Sequence, residues 1–236
     1  GKLEEVEIAA AADHERSVLD RFEADFGKPV YHDVEDMCLD PNLDAIYIAT
    51  PNRFHVDHAT AAFEHGKHVL LEKPMATKLE DTDRLIDLSE DKGLSLAVSA
   101  PHSVEPHIRM VSEFVETGTY GNLWAIQTMH FADWLYRPRT EEELNPDPQY
   151  GGGVLFRQAP HQMDIIRTIG GGLLSQLRAS ITVWDPARPI AGSYISSMQF
   201  SGGAFAFASY SGYDRFHSGA LAFEMGDGIT GDYAVQ

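Results

Sequence analysis

The sequence is poor in cysteine: Cys38 stands alone among 236 residues, and one thiol cannot close an internal disulfide. Positive charge is scarce as well. Eighteen Lys and Arg face 36 Asp and Glu, a formal net charge of −18, and no Lys/Arg run breaks the imbalance, so a nucleic-acid backbone or an anionic membrane surface would be repelled. No apolar stretch approaches the roughly 20 residues that span a bilayer. The N-terminus, Gly-Lys-Leu-Glu-Glu-Val, has neither an apolar signal core nor an Arg-rich presequence. These absences argue against a disulfide scaffold, a nucleic-acid partner and a membrane partner, and leave the cytoplasm as the expected setting. What is present is a hydrophobic share of 43% with 10% aromatics, enough for a sizeable core in one large or two modest domains.

Short apolar runs alternate with helical patterns through the first half: Val6 to Ala12, Ala45 to Ala49, His68 to Leu71 and Leu94 to Val98. Such alternation predicts parallel strands buried on both faces by crossover helices, an α/β doubly wound domain. Helices are expected from about His14 to Phe26, briefly after Asp33, from His55 to His65 and from Leu79 to Lys92, with Gly27, Gly66 and Gly93 as their C-terminal caps. After Ser99 the pattern changes. Ile108, Val111, Phe114 and Val115 make a helical stripe, and alternating segments follow at 122–131, 177–183, 194–200 and 204–211, the last two joined by Gly202-Gly203. The expected division is therefore 1–99 and 100–236, the second part an α+β domain with a mostly antiparallel sheet. One face of that sheet is left for a partner subunit. The loop 136–150, rich in Asp, Glu and Pro, is the only long irregular segment.

Three places carry chemistry. Asp13 ends the first apolar run, where in doubly wound folds an acid hydrogen-bonds the ribose hydroxyls of NAD. It equally fits a helix cap, and Arg16 nearby keeps NADP as the alternative cofactor. Ile48 to His55 runs from a buried strand into Thr50-Pro51-Asn52, at the carboxyl end where such sheets bind ligands. Glu72 and Lys73 end another apolar strand ahead of Pro74, and a lysine beside a cleft can polarise a substrate hydroxyl. Taken singly, the second is an ordinary strand-to-helix turn and the third a solvated surface pair. Histidines at i, i+3 spacing, His55/His58 and His161/Asp164, lack a carboxylate-rich or Cys-rich set, so no metal is expected.

Together, Ala-Thr-Pro-Asn-x-x-His followed by Gly-Lys-His-Val-Leu-Leu-Glu-Lys-Pro-Met-Ala resembles the signature of the glucose-fructose oxidoreductase / inositol dehydrogenase / MocA family. The resemblance spans nearly the whole chain, including Gly151-Gly152-Gly153 ahead of His161 and Asp164. It implies a Rossmann-like first domain, NAD as cofactor, and a nicotinamide held by the Thr-Pro-Asn loop. Asp13, Thr50, Pro51, Asn52, His55, Glu72 and Lys73 would bind the cofactor, and Lys73 and His161 would be the catalytic pair. It also implies that a first strand and glycine-rich turn precede Gly1 and that last strands are missing at the other end, residues from Leu221 onward fitting the pattern poorly.

Within the family the chain looks most like dihydroxyphthalate-forming cis-dihydrodiol dehydrogenases, from Tyr136-Arg137-Pro138-Arg139, Gly151 to Phe156, Ala159-Pro160-His161-Gln162 and Trp184 to Pro189. By that likeness Arg137, Arg139, Arg157 and Gln158 bind the substrate, guanidinium forks suiting its carboxylates. The same arginines would otherwise pair with Glu141 to Glu143 or with Asp164. One departure stands out: Arg157 occupies the place, four residues before the histidine, where many members carry an Asp. The reaction implied is hydride transfer between nicotinamide and a secondary alcohol carbon of a small molecule, in a homo-oligomer. A sugar or inositol dehydrogenase and a catalytically silent sensor or scaffold remain as alternatives.

Overall fold

In the computed structural model, which describes residues 6–221, the chain divides between Ser99 and Ala100 into two compact units. The first unit runs β1 (Ala11–Ala12), α1 (Arg16–Phe26), β2 (Val30–Tyr31), α2 (Val34–Cys38), β3 (Ala45–Ile48), α3 (His55–Glu64), β4 (His68–Glu72), α4 (Leu79–Lys92) and β5 (Leu96–Ser99). Every strand pairing in it is parallel: β1 with β2, and β3 with β4 with β5. Gly27 and Gly93 close α1 and α4 at φ 61° and 64°, a backbone setting that costs glycine little. Ile46, Ile48, Val69 and Leu71 bury one sheet face against Ala59, Ala62 and Phe63 of α3 and Leu85 of α4.

One expectation changes here. The apolar run at 6–12 forms a strand only at Ala11–Ala12. Pro29 accepts from the Ala11 N–H at 3.2 Å but has no N–H to return, so the ladder stops there. In the larger sheet Tyr47, Leu70 and Ala97 are exposed while their sequence neighbours Ile46, Ile48, Val69 and Leu71 are buried.

The second unit begins with a 3₁₀ turn, Pro101–Val104, and α5 (Pro106–Glu116), β6 (Ala125–Phe131) and a 3₁₀ turn at Trp134–Tyr136. It continues with α6 (Gly153–Arg157), α7 (Ala159–Gly170), β7 (Leu174–Thr182), β8 (Ser193–Phe200) and β9 (Phe205–Ser211). The sheet order is β6-β9-β8-β7. β7, β8 and β9 are antiparallel neighbours, while β6 lies parallel to β9, a pairing that requires the long connection between them. Phe200, Met198, Tyr194, Ala206 and Ala208 turn inward onto Val154 and Ile166 of α6 and α7. Gln162 pins α7 to this sheet: its amide donates to Thr128 Oγ1 at 2.8 Å and Ser209 O at 3.2 Å, and its carbonyl accepts from the Tyr194 hydroxyl. The other sheet face leaves Met129, Ile195 and Phe207 exposed.

No helix among the described residues is long and apolar enough to cross a membrane. The expectation for residues from Leu221 onward falls, beyond Leu221 itself, outside the described residues.

Candidate active site

The first unit gathers its polar loops at the carboxyl ends of β3 and β4. Strand β3 runs into Thr50-Pro51 and a 3₁₀ turn at Asn52–Phe54, in which Asn52 is buried. His55, 1% exposed, braces this loop: its Nε2 lies 2.9 Å from Thr50 O and its Nδ1 2.8 Å from Pro74 O. The ring thereby joins the loop after β3 to the loop after β4, and both of its nitrogens are engaged by backbone rather than turned toward a ligand. Thr50 Oγ1 bonds His58 Nδ1 at 3.0 Å.

Glu72 ends β4 tied to both neighbouring strands. The Tyr47 hydroxyl of β3 donates to it at 2.7 Å, the Lys73 N–H at 3.3 Å, and Ser99 of β5 bonds it as well. Burial pushes this carboxyl up, yet the hydrogen bonds from Tyr47, Ser99 and the Lys73 backbone, with the Lys73 charge, outweigh burial and hold it below the ordinary value. It is thus no solvated surface acid. The Lys73–Pro74 peptide is cis. Because the folded form favours the ionised carboxylate, Glu72 stabilises the unit above the ordinary carboxyl value of 4.5. That contribution is lost as pH falls through its lower folded value. Glu72→Gln should therefore flatten the acid limb of stability against pH, measured by urea unfolding at stepped pH. An unchanged limb would contradict the bonding described.

Asp13 lies at the end of β1, its N–H donating to Tyr31 O at 3.2 Å. Its Oδ1 accepts from Glu15 N at 2.8 Å, so it shapes the entry to α1, although the capping position itself is Glu15. Arg16, the cation weighed for a 2′-phosphate, bonds Asp20 Oδ1 at 2.7 Å.

The second unit holds a cavity of about 270 Å³ lined in part by Arg137, Arg139, Gln158, His102, His130 and His217. Buried Trp134 and Leu135 anchor the turn from which both arginines extend. Arg139 lies over the Trp134 ring at 4.3 Å, donates to Trp134 O at 2.9 Å and reaches Glu143 at 3.4 Å. Arg137 donates to Asp133 Oδ1 at 2.5 Å. Each guanidinium thus has an intrachain carboxylate. For Arg139 it is one weighed from the sequence; for Arg137 it is Asp133, while Asp164 is taken by Arg167 at 2.8 Å. Arg157 is not among the lining residues; burial lowers its pKa, Glu143 opposes that shift and Arg139 adds to it.

The glycine triplet fits these parts together. A Cβ on Gly152 would stand 2.6 Å from Asn145 O, and one on Gly153, at φ +73°, 2.8 Å from Ala191 O. No other residue lets α6 approach both loops this closely. α6 then leads through Gln158 into α7, with Pro160 in its first turn and His161 next. The ring of His161 meets that of His102 edge to face, centroids 4.6 Å apart. His130 stacks on Tyr210 at 5.0 Å and meets His217 at 4.7 Å. His102, His130 and His217 escaped the sequence reading. The one available signal was an excess of histidine, 11 in all, in segments with no common motif.

A parallel sheet with its loops at the strand carboxyl ends, followed by a mixed sheet bearing a basic cavity, defines a dinucleotide-binding α/β protein with a separate second domain. The comparisons sharpen this. Residues 2–100 match the family model described as oxidoreductase family, NAD-binding Rossmann fold, and residues 108–227 match the GFO/IDH/MocA C-terminal domain. The chain belongs to the Gfo/Idh/MocA oxidoreductase family. It is 41% identical over 214 residues to 1-carboxy-3-chloro-3,4-dihydroxycyclohexa-1,5-diene dehydrogenase of Comamonas testosteroni, covering 90% of this chain and 53% of that protein. To levoglucosan dehydrogenase of Pseudarthrobacter phenanthrenivorans it is 30% identical, over 64% of this chain and 39% of the relative. Among solved structures, one of a Bordetella bronchiseptica RB50 protein superposes with a TM-score of 0.85 at 37% identity, over 91% of this chain and 56% of the other. The chain spans about half the length of the curated relatives it matches.

Proposed function

We propose that the protein is an NAD-dependent dehydrogenase that oxidises a carboxylated cyclic cis-dihydrodiol, phthalate 4,5-dihydrodiol being one such compound. The observation that carries this reading is the cavity. In a chain of net charge −18, the described residues that line it include two arginines and three histidines and no Asp or Glu. Guanidinium and imidazole donors suit a carboxylate. The similarity to a dehydrogenase of a carboxylated cyclohexadiene diol supports the same class.

The loops after β3 and β4 fit a nicotinamide dinucleotide, since His55 locks them together where parallel sheets bind such ligands. Thr50, Pro51, Asn52, Glu72 and Lys73 would hold it there, and Asp13 its ribose. NAD, when bound, supplies the hydride acceptor. Lys73 and His161 take the proton of the reacting hydroxyl as its carbon loses hydride, and Arg137, Arg139 and Gln158 hold the carboxylated ring. The ketone product tautomerises to a catechol, and aromatisation makes the oxidation effectively one-way. The open face of the second sheet, with Met129, Ile195 and Phe207, is where we place the contact between copies.

Formation of reduced nicotinamide, followed by absorbance, tests this with three substrates: a carboxylated cis-dihydrodiol, its uncarboxylated counterpart and a cyclic sugar. The expected preference in kcat/KM for the first is at least about 100-fold. Faster oxidation of the sugar would favour the sugar dehydrogenase reading, which the levoglucosan dehydrogenase similarity also suggests. NAD binding without turnover of any of them would favour the silent one.

A further inference from the structure

His161 is followed by the buried peg Gln162, so its backbone is fixed, but a ring that exchanges a proton must also be fixed in rotation and in tautomer. Arg157, one turn earlier, is a permanent cation and can neither accept a proton from the imidazole nor favour its protonated form. The neighbour that meets the His161 ring edge to face is His102, on the 3₁₀ turn that packs against α7. His102 is itself held. Its Nδ1 lies 2.5 Å from Glu105 Oε1, and the other carboxylate oxygen of Glu105 lies 3.4 Å from His107 Nε2. A carboxylate only accepts, so Nδ1 of His102 carries the hydrogen and its tautomer is set by Glu105.

We propose that His102 and Glu105 are positioning residues for His161: Glu105 fixes the His102 ring, and the pair orients the His161 imidazole and supplies the negative charge that stabilises its protonated form. This rests on the reading of His161 as the proton-exchanging residue. Carboxylate, fixed imidazole and working imidazole then stand in series. The remaining titratable groups on elements packed against α7 are Arg157 on α6, His130 on β6, Tyr210 on β9 and further charges on α5, which are exposed. Asp164, three residues on along α7, is paired with Arg167 at 2.8 Å, so among the described carboxylates Glu105, bonded to the ring that meets His161, is the one whose removal the His161 ring should sense.

The test is an NMR titration of the histidine side chains in the protein alone, compared with Glu105→Gln and Glu105→Asp. It needs neither cofactor nor turnover, so its outcome is separate from that of the dehydrogenase assay. With Glu105→Gln the His161 midpoint should fall by about half a pH unit or more, as loss of a nearby negative charge requires. The nitrogen shifts of His102 should show its tautomer released, and Glu105→Asp should restore part of both. A role confined to supporting the fold would lower the melting temperature and leave the His161 midpoint in place. A midpoint unmoved in a folded Glu105→Gln protein overturns the proposal. If the protein proves active, the same substitution should lower kcat several-fold with KM little changed, and shift the acid limb of the kcat profile by the amount seen in the titration.

Discussion

Methionine in place of Lys73 should lower kcat by about a thousandfold, the range set by removing a positioned proton donor and acceptor, while NAD affinity changes by no more than a few-fold. Lys73 is held in place through its neighbours in the chain. Its neighbour Glu72 is bonded from Tyr47 on one side and Ser99 on the other, and His55 clamps the carbonyl of the following Pro74. The backbone at position 73 is therefore set by groups other than the lysine ammonium. Methionine keeps the length and the apolar stem but loses the exchangeable proton. The substitution carries its own control: without the Lys73 charge, the Glu72 carboxyl should rise toward its ordinary value, shifting the acid limb of stability upward. Stopped-flow turnover and calorimetric NAD binding on the same preparation separate the alternatives. Unchanged kcat would remove Lys73 from the chemistry, and loss of NAD binding in proportion to the loss of kcat would leave it the role of cofactor contact alone.

How much of this was legible in the sequence depends on how far apart the interacting residues lie. α4 spans the residues read from its periodicity and closing glycine, Leu79–Lys92 followed by Gly93, because a helix and its cap are local. The β8–β9 hairpin is local in the same way, turning at Gly203. β1 fell short because Pro29, seventeen or more residues away in the chain, lacks the donor that would have extended the ladder. The basic cavity was half visible. Arg137, Arg139 and Gln158 sit in one recognisable stretch, but His130 meets Tyr210 only because β6 pairs in parallel with β9 in the register His130↔Tyr210. No periodicity in either strand names its partner. The pairing of Arg137 with Asp133 was missed for a related reason: contacts four residues apart are expected in helices, and here a single 3₁₀ turn in a loop produces one.

Removing Arg137 or Arg139 should raise KM for a carboxylated dihydrodiol by roughly 10- to 100-fold each, the worth of one charge-assisted hydrogen bond, with kcat within about threefold. The arginines bond Asp133 and Glu143 within the chain, and this makes the prediction sharper. Arg137→Ala does more than delete a cation, since it leaves the Asp133 carboxylate without that guanidinium next to a cavity with no acid among the described residues that line it. An anionic substrate then meets repulsion where it met attraction, and the loss should exceed that of the hydrogen bond alone. Adding Asp133→Asn to Arg137→Ala removes the acid too, and should recover part of the KM while the cation stays absent. A neutral cyclic diol should show neither the loss nor the recovery. That contrast is decisive because the two roles of these arginines scale differently with substrate charge. If KM rises equally for charged and neutral substrates, the guanidiniums serve to hold the turn at Trp134 and the loop at Glu143, and the carboxylate specificity must be sought elsewhere in the protein.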